Sequence, residues 1–206
     1  MKRDTNRILT THAGSLPRSD ELRQLIYAKA EGRPYDPAAL AGLLRSEVAE
    51  VVRKQVACGI DSVNDGELGK TNFTNYVRGR LAGFEAREYR PGRDPEPLSI
   101  AGRDRIHFPE YFAAGGRGFG AFAGAGPSQM QVYCVAPLKY VGHEALREEI
   151  ECFKSALKET KVGEAFLPAN TPGTIEHWLR NEHYPDEEAF VYAIAEAMRV
   201  EYKTSV

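Results

Sequence analysis

Apolar residues fall at helical spacing in several stretches. Leu40, Leu43, Leu44, Val48, Val51, Val52 and Val56 make one stripe, which predicts an amphipathic helix. Asp36-Pro37 opens it with a cap and a first-turn proline, and Cys58-Gly59 closes it, with Gly59 as the expected left-handed stop. A second stripe, Leu146, Ile150, Phe153 and Leu157, predicts a helix from His143 to about Lys158. A third, Phe190, Ile194 and Met198, predicts one capped by Asp186 and running to Tyr202. Ser19 caps an earlier helix that ends near Glu31. Between these lie short β-prone runs: Ile8 to Thr11, Ile60 to the segment "NDGE", Gln129 to Val135, and Val162 to Pro168. "TNFTNYVRGRLAGF" reads as a short amphipathic helix and "ANTPGTIEHW" as a loop.

Strands alternating with helices predict parallel pairing, and in such folds function gathers at the C-terminal ends of the strands. The polar clusters fall there: "HAGS" after the first run, "DGE" after the second, "AP" after the third and "PANTPG" after the fourth. Strand alternation puts Asp65 and Glu67 on one side. Two carboxylates at a strand end call for donors, a metal or an amine-bearing ligand, because burying a carboxylate without a partner costs several kcal/mol. The competing reading makes them helix caps, or partners of Lys70 in solvent. Ser15 beside Gly14 is either a nucleophile or part of a turn lending N–H groups to a ligand; no Gly-x-Ser-x-Gly elbow surrounds it, which disfavours covalent catalysis. His12 is either a base or ligand, or a satisfied structural histidine.

Composition narrows the partners. The 206 residues are 42% hydrophobic and 27% charged with a net charge of −2, so no basic face recommends nucleic acid or an anionic membrane. No apolar run approaches the ~20 residues of a membrane helix, and the first seven residues do not read as a signal peptide. Three scattered cysteines, Cys58, Cys134 and Cys152, fit a reducing cytoplasm better than a disulfide framework. From about 85 to 128 the pattern fades into a long loop with a glycine–alanine tract at 113–126. Its formal GxGxxA match, Gly118 to Ala123, lacks the leading strand and following helix of a dinucleotide site. "EHWLRNEH" matches no local zinc motif, and no complete metal site is visible.

"ILTTHAGSLPR", "GIDSVNDGELGKTNF", "EAFLPANTPGTIEHW" and "YPDEEAFVYAIAEAMRVEYK" resemble the short, stand-alone relatives of the catalytic domain of cobalamin-independent methionine synthase. The resemblance implies a parallel (β/α)8 TIM barrel of which residues 1–206 supply the N-terminal half, about four βα units. It implies a cytoplasmic methyltransferase family acting in methionine biosynthesis, similar to 5-methyltetrahydropteroyltriglutamate–homocysteine S-methyltransferase. In that family the turn matching Ala13-Gly14-Ser15, with His12 beside it, and the carboxylate matching Glu67 hold a homocysteine-like thiol amino acid; Asp65 is expected to support them. A methyl donor is the second substrate, and zinc is the full-length family's cofactor. Two departures stand out: Val135-Ala136-Pro137 replaces the family's Thr-Gly-Pro, and no equivalent of its later zinc ligands, a His-x-Cys pair, a Glu and a final Cys, is present. The chain alone is therefore expected to bind no cofactor and to be inactive. Self-association or a complementing C-terminal half is expected as its partner. The alternatives are a non-catalytic ligand-binding half barrel and a thiol alkyltransferase acting on an epoxide.

Overall fold

The computed structural model describes residues 6–73, 75–88, 107–114 and 130–205. The Gly118–Ala123 match and nearly all of the 113–126 tract lie outside them. The chain divides into two units: Met1–Tyr76 with Gly142–Ala169 and Thr204–Val206, and Val77–Val141 with Asn170–Lys203.

The first unit carries helices α1 (Asp20–Ala30), α2 (Pro37–Ala57) and α4 (His143–Glu159). Their ends follow from local chemistry. Ser19 Oγ accepts from the Leu22 amide at 3.1 Å, and Asp36 accepts from Ala38 and Ala39, which satisfies otherwise orphaned first-turn donors. Gly59, at φ 80°, stops α2 as expected. The apolar stripes meet in one core: Leu22 and Ile26 from α1, Leu40, Val48 and Val52 from α2, Phe153 and Ala156 from α4. These pack with Val63 and Leu68. Against the helices lies a short parallel ladder. Thr11 bridges Ser62, and β1 (Ser62–Val63) pairs with β4 (Glu164–Ala165), Ser62 opposite Glu164 and Val63 opposite Ala165. Three of the four β-prone runs therefore align in parallel, although regular pairing is much shorter than the runs themselves.

The second unit departs from expectation. "TNFTNYVRGRLAGF" is not an amphipathic helix: a single 3-10 turn at Tyr76–Gly79 leads into strand β2 (Leu81–Glu88). β2 pairs antiparallel with β3 (Met130–Tyr140) across an irregularity between Ala82 and Phe84, and β3 pairs parallel with β5 (Arg180–Asn181). The all-parallel order is corrected accordingly. β3 also runs through Ala136-Pro137 to Tyr140 rather than ending there. Within the interval expected as a long loop, β2 extends to Glu88 and α3 (Pro109–Ala113) forms. Within "ANTPGTIEHW", α5 (Pro172–His177) forms where a loop was expected; Thr171 caps it by accepting from Thr174 at 3.2 Å. The last helix, α6 (Glu187–Thr204), is capped by Asp186 as expected. It buries Phe190, Ile194 and Met198.

Candidate functional site: an interlocked pair of turns

Two turns 50 residues apart in sequence close on each other in the first unit. Arg7 grips both oxygens of Asp61, and the same carboxylate accepts from the Thr10 amide at 2.8 Å. These hydrogen bonds, Arg7's foremost, hold the Asp61 carboxyl well below its usual range. Asp61 thereby registers the first β-prone run on the second. Beyond it the two segments stay linked: Leu16 N donates to Gly66 O at 2.9 Å, and the Asn64 side chain donates through Nδ2 to His12 O at 2.7 Å. Asn64 is itself fixed from α2, where the Gln55 amide donates to its carbonyl at 2.7 Å and accepts from its N–H at 3.1 Å.

The regular strand ends at Val63, so alternation does not govern Asp65 and Glu67. Both Gly66 and Glu67 turn left-handed, at φ 65° and 55°. Asn64 Oδ1 accepts from Gly66 N at 2.8 Å, and Asp65 Oδ1 from Glu67 N at 3.1 Å. The turn sends the two carboxylates to different partners. Glu67 Oε2 accepts from the Ser15 hydroxyl at 2.6 Å, whereas its Oε1 meets no protein donor among the described residues. Asp65 is buried. Burial pushes its carboxyl up, Glu149 adds to this, and Lys70 opposes it.

Lys70 lies at 3% exposure rather than in solvent. Its ammonium reaches Glu149 Oε1 on α4 at 2.7 Å and Pro168 O beyond β4 at 3.0 Å, with the Tyr76 ring 5.2 Å away. Arg18 completes the set, donating to the carbonyls of Glu67 (2.8 Å), Leu68 (2.9 Å) and Lys70 (2.7 Å).

The structure thus joins Ser15 to the Glu67 carboxylate, while the Asp65 carboxylate holds the Glu67 amide. Ala13, Gly14 and Ser15 form an exposed turn with Gly14 at φ 105°, and their amides donate to no acceptor among the described residues. His12 is half-buried beside them, its Nε2 2.9 Å from Gly14 O. Arg18, Gln55, Asn64 and Glu149 carry no such signal in the sequence, and Lys70, expected as a partner of the carboxylates in solvent, is instead buried against Glu149. Arg18 does stand inside the recognised segments, but it acts on backbone carbonyls, which leaves no side-chain pattern to read.

Zinc does not fit the described residues. Among them no three His, Cys, Asp or Glu side chains converge as metal ligands. No helix among the described residues is long and apolar enough to cross a membrane.

The fold and turn geometry define an α/β chain with parallel strands and a serine–glutamate centre at a strand end. No family model matches it. The methionine synthase of Pyrococcus furiosus is 26% identical over 160 residues, covering 78% of this chain and 37% of that protein. The 5-methyltetrahydropteroyltriglutamate–homocysteine methyltransferase of Caulobacter vibrioides is 37% identical over 75 residues, 36% of this chain and 10% of that protein. Among solved structures, the B12-independent methionine synthase of Shewanella sp. W3-18-1, in complex with selenomethionine, superimposes with a TM-score of 0.58 at 18% identity. That match covers 94% of this chain and 47% of the other, and it shows the fold alone. Curated methionine synthases of the cobalamin-independent type match most of this chain, which is short relative to them.

Proposed function

We propose that the first unit holds the zwitterionic head of a homocysteine-like thiol amino acid, as the amino-acid-binding part of a methionine-synthase-like S-methyltransferase. The observation that carries the reading is the Glu67 carboxylate: one oxygen is oriented by Ser15 at 2.6 Å and the other meets no protein donor. An oriented, half-satisfied carboxylate suits an ammonium group. The exposed amides of Ala13, Gly14 and Ser15 suit the ligand's carboxylate. Asp65 and Lys70 support this turn from beneath, and His12 orients the loop through Gly14. The names of the relatives, and the selenomethionine bound to the Shewanella protein, support the same ligand class.

A methyl donor is the expected second substrate. Activation of the thiol by zinc, the chemistry the resemblance implies, needs ligands that the described residues do not gather. The chain is accordingly read as the N-terminal half of a barrel domain that binds the thiol substrate without completing the reaction alone. Its three free cysteines fit a reducing compartment such as the cytoplasm.

Titration with L-homocysteine tests the reading. A charge-assisted hydrogen bond is worth about 1.5–3 kcal/mol, so Glu67→Gln, which keeps the shape, should weaken binding about tenfold or more. A binding curve unchanged by Glu67→Gln would return the residue to a purely structural role.

A further inference from the structure

Glu67 occupies a left-handed backbone conformation, at φ 55°, that is strained for a non-glycine residue, and such strain persists only where surroundings over-determine it. On the N–H side the local Asn64 and Asp65 side chains hold the turn. Its carbonyl side is held from afar. Arg18 Nη2 donates to both Glu67 O and Lys70 O, and Nε donates to Leu68 O, all within 2.9 Å. One rigid guanidinium thus meets three of the four carbonyls from Glu67 to Lys70. Arg18 also lies three residues after Ser15, so the segment that supplies the clamp supplies the hydroxyl oriented on Glu67.

We infer that Arg18 is a positioning residue: it fixes the strained Glu67 backbone so that the carboxylate meets Ser15 and presents its second oxygen to the ligand. The ligand part of this inference rests on the amino-acid-binding reading; the geometric part does not. Lysine cannot replace it fully, because an ammonium lacks the planar fork that spans separate carbonyls.

The decisive measurement is the coupling between Ser15→Ala and Glu67→Gln in chemical unfolding of the full chain, determined with Arg18 present and again in an Arg18→Met background. With Arg18 present the two sites should couple by about threefold or more in the folding constant. In the Arg18→Met background the coupling should vanish, and Arg18→Lys should restore only part of it. A merely structural arginine would lower the stability of every variant and leave the coupling intact; that result overturns the inference. If Arg18→Met does not fold, Arg18→Lys alone decides, since undiminished coupling there is equally fatal.

L-homocysteine titration supplies the second arm. Arg18→Met should weaken binding about tenfold or more, as expected when a binding group is misplaced. Weakened binding with intact Ser15–Glu67 coupling would mean that Arg18 touches the ligand directly, against the inference. If Glu67→Gln leaves wild-type binding unchanged while the coupling still depends on Arg18, the amino-acid reading fails and the positioning role stands.

Discussion

At the scale of single residues, the site is built from positions that pay for their geometry. Gly66, at φ 65°, is the clearest. A Cβ there would lie 3.0 Å from Leu16 Cδ1 and 3.1 Å from Leu16 Cβ, while the carbonyl of Gly66 accepts from Leu16 N. Alanine therefore adds left-handed strain, roughly 1–2 kcal/mol, to a steric push against the partner that registers the two turns. Gly66→Ala should destabilise the chain by about 2–3 kcal/mol, read from the urea midpoint at constant slope. It should also weaken L-homocysteine binding, because moving Leu16 moves Ser15. A loss below about 0.5 kcal/mol, the scale of an ordinary surface substitution, would show that the turn is not locked to Leu16.

At the scale of elements, buried charge connects the site to its scaffold. Lys70 ties the turn to α4 through Glu149 and to the end of β4 through Pro168. Removing one member of such a pair leaves a buried charge, so Glu149→Gln should cost about 3 kcal/mol. The pH dependence gives a second readout. Burial lowers the Lys70 pKa, but Glu149 and Asp65 outweigh it and raise the value above 10.5. A raised lysine contributes stability that is fully present below about pH 10.5 and lost as pH rises through the folded value. In Glu149→Gln the main raising partner is gone, so the alkaline loss of stability should shrink; an alkaline limb unchanged from wild type would remove Lys70 from this role. The elements also show what sequence can and cannot reveal. α1, α2, α4 and α6 were legible because their stripes span several turns, and Ser19, Asp36 and Asp186 cap α1, α2 and α6 locally. β2 was not: Phe73, Tyr76, Val77 and Leu81 mimic helical spacing, and only pairing with β3, some 50 residues on, makes Leu81–Glu88 extended. The site was half legible for the same reason. Ser15, Asp65 and Glu67 announce themselves as chemistry at strand ends, whereas Arg18 and Asn64 reach distant carbonyls and Lys70 a carboxylate on α4, contacts that leave no periodic trace.

At the scale of the whole molecule, the ladder of the first unit raises the question of its edges. The chain spans 37% of the Pyrococcus furiosus protein and 47% of the Shewanella structure, and the solved structures it superimposes on are TIM-barrel methionine synthases, in which closure leaves no strand edge unpaired. Here the ladder runs from Thr11 through β1 to β4, and among the described residues no strand pairs with the outer side of β4. Large apolar side chains stand exposed at both margins: Ile8 at 89%, leading into the Thr11 bridge, and Phe166 at 36%, directly after β4. Unpaired strand edges with apolar neighbours are templates for association. The chain should therefore self-associate, giving a mass in sedimentation equilibrium that rises above 22.9 kDa with concentration. Charge on an edge opposes pairing, so Ile8→Lys combined with Phe166→Lys should shift the distribution toward the single chain. Both positions are solvent-exposed, and the double variant should keep the cooperative unfolding of the wild type. A wild-type chain that stays at 22.9 kDa at every concentration would show these edges to be inert. Association unaffected by the two lysines would place the contact elsewhere.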